Sequence, residues 1–168
     1  MKHLIRVIGI TVGILSVALL NASAAIAQVG AEPRTSARPD RIVGLWDVQV
    51  SVANCLGGPV FATFPALHKY ELGGTGQVVP ASNPALLSAH MMAWTHLSGD
   101  NYLSRFKMFR YDAAGNTIGW TIVTNEVSID KDATWYTGSG IAESFDNGGN
   151  FLTASCPSFV GTRFGAEP

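Results

Sequence analysis

Uninterrupted helical periodicity is scarce in this chain, which argues against a bundle or any other mainly helical fold. Basic charge is not in excess: 11 Lys and Arg stand against 12 Asp and Glu. Lys2 and Arg6 lie in a segment expected to be removed, which leaves the acids ahead. That balance excludes affinity for nucleic acid or for acidic membrane surfaces. The G-x-S-x-G elbow of serine hydrolases is missing, and Gly138-Ser139-Gly140 is too short to replace it. Acidic residues are scattered. Asp47 and Glu126 fall on strands, while Asp100, Asp112, Asp130, Asp132 and Asp146 sit in turns, so no pair is spaced for glycosidase work. No residue pattern asks for a cofactor.

The apolar run Val7–Leu20 is too short for a comfortable membrane span. Behind the basic start Lys2, His3 and Arg6, and ahead of Ala25-Ile26-Ala27, it reads as a signal peptide covering residues 1–27. No cysteine follows the run to take a lipid, and Arg6 stands alone, against a twin-arginine signal. The expectation is Sec-type export to the periplasm or beyond, with no membrane span after cleavage. Cysteine is scarce too, with Cys55 and Cys156 alone. In an exported chain the two are expected to form a disulfide. Closing a loop of roughly 100 residues, it is worth about 4–5 kcal/mol in the chain-entropy picture.

What remains is rich in Gly, Thr, Ser and aromatic residues, an all-β composition. Residues 28–41 are polar, carry Pro33 and Pro39, and read as a flexible N-terminal tail. Residues 42–164 read as one domain, and 165–168 as a short C-terminal tail. A first strand over 42–53 turns its even positions inward, among them Trp46, Val48 and Val50. Strands follow over 64–72, 77–79 and 90–97, with an irregular stretch at 80–88 that is either a lid or a long connection. Turns then recur at Gly99, Gly115, Lys131-Asp132 and Gly148-Gly149, leaving strands of about 11–13 residues, long for an ordinary sheet. Opposing residues of an antiparallel pair have numbers with a constant sum. The pairs Trp46/Arg163 and Cys55/Cys156 differ in that sum by one diagonal step, and both sums are odd. The last strand is therefore predicted to return beside the first. Trp46 and Arg163 should then meet inside one end, with the cysteines outside near the other. The predicted fold is an eight-stranded antiparallel up-and-down barrel with one disulfide.

Gly44-x-Trp46 opening the first strand and Arg163 near the end of the last resemble the lipocalin and calycin barrels. The chain is also similar to exported bacterial proteins with the same Gly-Leu-Trp-Asp opening. The resemblance covers roughly residues 42–164 and implies a structural plug made by Gly44, Trp46 and Arg163, with the guanidinium packed on the indole. It also implies an interior that holds a small apolar ligand.

The aromatic and sulfur-bearing residues Tyr102, Phe106, Met108, Trp120 and Tyr136 are the candidates for lining that interior or for filling it solidly, and Met91, Met92 and Trp94, near the 80–88 stretch, for its mouth. His90 and His96 lie about 20 Å apart along one strand, too far to share a metal, so only one of them can join His68. The histidines are expected at the surface or rim. The leading reading is an exported lipocalin-like barrel that binds a small hydrophobic or amphipathic molecule. A second is a protein-binding module, similar to inhibitors of bacterial proteases, acting through the tail or the outer surface. A third, weaker one is a cyclase or isomerase using an interior Tyr or Glu126. The candidate partners are thus a small apolar ligand and another protein.

Overall fold

A computed structural model describes residues 40–165. The segments read as signal peptide, most of the N-terminal tail and most of the C-terminal tail lie outside the described residues.

Eight strands run in sequence: β1 (Gly44–Ala53), β2 (Val60–Tyr70), β3 (Thr75–Pro80), β4 (His90–Ser98), β5 (Asn101–Tyr111), β6 (Thr117–Ile129), β7 (Trp135–Phe145) and β8 (Phe151–Arg163). Each pairs antiparallel with the next, and β8 returns to β1, so the sheet closes as an up-and-down barrel. No helix occurs among the described residues. The closing register is the one the sequence implied, with Trp46 opposite Arg163 and Ala53 opposite Cys156. Cys55, two residues past Ala53, bonds Cys156 with 4.9 Å between Cα atoms, spanning 101 residues of chain.

Alternation along each strand decides what faces inward. In β1 the even positions Trp46, Val48 and Val50 are buried, while Asp47 and Gln49 are exposed. Pairing carries that choice around the barrel, placing Ala66, His68 and Tyr70 of β2 inside with them. Three turns share one device. Asp112, Asp130 and Asp146 each accept backbone N–H bonds from residues two to five positions on: 2.8 Å from Asn116, 2.8 Å from Trp135 and 2.8 Å from Asn150. The side-chain amides of Asn116 and Asn150 also hold Asp112 and Asp146 below the usual carboxylate range.

The end bearing Trp46 is sealed. Its indole is fully buried, donates to the Ile42 carbonyl at 2.8 Å, and meets Tyr136 edge-on with ring centroids 4.8 Å apart. The Arg163 guanidinium sits 4.1 Å from the indole centroid and donates to the carbonyls of Ala133, Val43 and Arg41, at 2.7, 2.9 and 2.5 Å. Gly44 makes room for it. A Cβ there would fall 2.5 Å from Arg163 Nη1, and its φ of 138° is one that few L residues adopt. One expectation needs correcting. Arg163 is exposed and lies across the barrel end as a cap, because its three acceptors are rim carbonyls and not interior groups. Arg41 belongs to the same cap, paired with the Asp100 carboxylate and the Asp130 carbonyl.

Candidate ligand-binding site

The interior divides into a packed half and a hollow half. Near the plug, Tyr70, Trp94, Tyr102 and Tyr136 fill the barrel in edge-to-face contacts. Tyr70 lies 6.2 Å from both Trp94 and Tyr136, and Trp94 lies 5.9 Å from Tyr102. The Trp94 indole finds acceptors in the carbonyls of Thr75 and Glu71, at 2.9 and 3.1 Å.

Toward the other end lies a cavity of about 310 Å³. Val50, Phe64, Val78, Phe106, Met108, Val123 and Phe159 give it mostly apolar walls. His68, His90, Thr121, Asn125, Ser144 and Ser155 add polar atoms, and none of the lining residues is an acid, a lysine or an arginine. Arg110, at the same end of β5, points its Nη2 to the Phe145 carbonyl at 3.4 Å and lies outside the lining. Ser82 and Leu87 border the cavity from the connection between β3 and β4. That connection is tied along β5 rather than hanging free. Ser88 N–H donates to the Phe109 carbonyl at 3.0 Å, Phe109 N–H to Ser88 Oγ at 2.9 Å, and Tyr111 N–H to the Leu86 carbonyl at 2.9 Å.

Glycine sets the shape of the walls. A Cβ on Gly138 would fall 2.2 Å from the Phe159 ring, one on Gly140 2.4 Å from Asn125 Oδ1, and one on Gly161 2.5 Å from the Tyr136 ring. Each of these glycines faces inward and yields its space to a large neighbour. The Gly-Ser-Gly run in β7 is thus a packing feature.

No protein-family model, no curated protein and no solved structure matches the chain. The case for a site therefore rests on its geometry.

His68 Nδ1 and the Tyr136 hydroxyl are 2.8 Å apart, and the His68 ring stands 5.7 Å from Phe159 and 6.5 Å from Phe106. Burial pushes this imidazole down to about 3, and His90 nearby adds to the effect. Burial likewise holds His90 down to about 4 and raises the Tyr70 phenol to about 12. Burial also raises Tyr136 well above the ordinary phenol value. Near neutral pH these four side chains thus carry no charge. The interior's hydrogen-bonding capacity is only partly used. Both nitrogens of His90, Ser104 Oγ, Asn125 Oδ1 and, at the open end, Arg110 Nε are buried without a partner, and the Tyr70 hydroxyl lies by Ser104 and Tyr136 without a well-aligned bond.

The predicted site residues fall in three places. Phe106 and Met108 line the cavity. Tyr102 and Tyr136 are interior but belong to the packed half, at 2% and 0% exposure. Trp120, expected inside, is on the outer face. The pairing of Met108 with Thr121 turns the odd positions of β6 inward, which sends Trp120 out to stack on Phe145 beneath Lys107. The three mouth candidates also lie elsewhere. Met91 is 61% exposed on the outer wall, Met92 is interior against Gly76, and Trp94 is in the packed half. β4 enters at the open end with His90 and runs away from it, so each later residue is deeper or outside.

Of His68, His90 and His96, the first two reverse their expectation and His96 meets it. His68 and His90 are each 3% exposed and interior, whereas His96 is exposed and bonded to the Gly99 carbonyl at 2.8 Å. Glu126 is exposed on the outer face, which takes the carboxylate of the cyclase reading out of the barrel. The residues missed were His68, His90, Asn125 and Phe159. Strand alternation carried the signal for all four: each is in phase with an inward neighbour.

Proposed function

We propose that this chain is an exported lipocalin-like barrel that takes a small apolar or amphipathic molecule into the hollow half of its interior. The carrying observation is the cavity of about 310 Å³, bounded by Phe106 and Phe159 and holding buried polar groups without partners. An apolar ligand entering it gives up water-exposed surface to aromatic and aliphatic walls, and the few polar groups fix its orientation. Charged residues such as Asp47, Lys69, Arg105 and Glu126 are exposed while the interior is mainly apolar, the reverse of a lipid-embedded barrel. The signal-like N-terminus and the Cys55–Cys156 bond agree with an oxidising compartment.

The reading is tested by titrating the protein with N-phenylnaphthylamine, a neutral dye that brightens in apolar surroundings. The parent should give a saturable signal. Ala142→Trp, which fills the cavity from β7, should lose it while melting cooperatively. An equal signal from both proteins would place the dye on the outer surface and refute the reading.

A further inference from the structure

We propose that the cavity selects uncharged molecules whose compact apolar body carries a hydroxyl group, seated against His90 or Asn125. This inference rests on the binding reading above and names the ligand class.

The two side chains are 3% and 1% exposed, both line the cavity, and neither His90 nitrogen nor Asn125 Oδ1 has a partner in the protein. A neutral imidazole carries one N–H donor and one bare acceptor nitrogen, and the amide oxygen adds a second acceptor. A hydroxyl group donates and accepts at once, so it can satisfy both kinds of site. A pure hydrocarbon would leave all of them unpaired. An ammonium would find no acid among the lining residues, and a carboxylate no cation, since Arg110 lies outside the lining with its Nη2 turned to the Phe145 carbonyl. Burial keeps His90 itself neutral near pH 7.

The site is preorganised. Phe106 stacks on His90 with ring centroids 5.8 Å apart and planes 11° apart, covering one face of the imidazole and fixing the ring. Gly140 opens the space that Asn125 occupies. At about 310 Å³ the cavity is at the small end of the usual range of about 300–1,000 Å³, which suits a compact alcohol or phenol better than a long-chain lipid.

Calorimetric titration of the mature protein at pH 7 with para-butylphenol, butylbenzene and para-butylbenzoate tests this. The phenol should bind at least about tenfold tighter than butylbenzene, and the benzoate weakest, because a site built around a polar group penalises the analogue that lacks it. In one of His90→Phe and Asn125→Leu the phenol's advantage should shrink while butylbenzene binds as before, and an unchanged advantage in both would overturn the assignment. Equal affinity for phenol and butylbenzene would overturn the hydroxyl inference and leave the binding reading standing. A preference for the benzoate would overturn it as well. Binding of none of the three would remove both. The ranking in the parent protein needs no variant, so a substitution that fails to fold does not blunt the test.

Discussion

The Cβ that Gly140 lacks would fall 2.4 Å from Asn125 Oδ1 and 2.1 Å from the Thr124 carbonyl oxygen. A buried amide on β6 thus exists because its partner on β7 has no side chain. Gly140→Ala must displace β6 or swing Asn125 away from the cavity. The expected cost is about 1–3 kcal/mol, as for other overpacked interiors. Urea unfolding measures that cost, and dye titration of the same protein should show weakened binding.

The plug should behave as a structural unit remote from the ligand. Trp46→Ala is expected to cost about 3–5 kcal/mol, the usual loss for a large buried aromatic, in a thermal or urea melt. Arg163→Lys keeps the charge but not the planar fork that reaches three rim carbonyls, so it should also destabilise, by about 1–3 kcal/mol. Neither variant, assayed where it remains folded, should change dye affinity by much, since the cavity is lined by other residues.

Acid should weaken the fold through its interior histidines. An unfolded imidazole takes its proton near pH 6.5, whereas His68 is held down to about 3 and His90 to about 4. The unfolded chain therefore binds more protons between those values. Stability is full above about pH 6.5 and falls as pH drops toward 4, then 3. His68 contributes up to about 1.4 kcal/mol per pH unit, and His90, bordering the hollow half, contributes less. Urea titrations from pH 7.5 to 4.5 should show this slope, and His68→Phe should flatten it.

Much of the architecture was legible in advance, and the reasons are physical. Long alternating segments and turn residues at regular spacing fix strands. Two independent residue pairs, Trp46/Arg163 and Cys55/Cys156, fixed the register by which β8 meets β1. The site was less legible because aromatic character does not report which face of a strand a residue takes. Trp120 is one residue out of phase with its inward neighbour Thr121, so it faces solvent, and no preference for burial outweighs the pairing with Phe109. His68 and His90 were in phase with buried neighbours, yet imidazoles in an apolar interior look costly until the cavity beside them is known. Which half of the barrel is hollow depends on where Gly138, Gly140 and Gly161 sit across from large side chains. That is a three-dimensional relation that spacing along one strand does not contain.

The disulfide should stabilise by limiting the unfolded chain. Replacing Cys55 and Cys156 by Ser removes a link across 101 residues and should lower stability by about 4–5 kcal/mol. Urea unfolding with and without reductant measures it. The reduced parent should match the double variant.

The central claim, that the hollow half holds a ligand, is tested most directly by native mass spectrometry of the protein isolated gently from its host. The account predicts a reproducible extra mass from a small neutral molecule, released on denaturation and absent from Ala142→Trp. The same extra mass on the filled variant would contradict it. So would a bare parent mass that persists when para-butylphenol is added in excess.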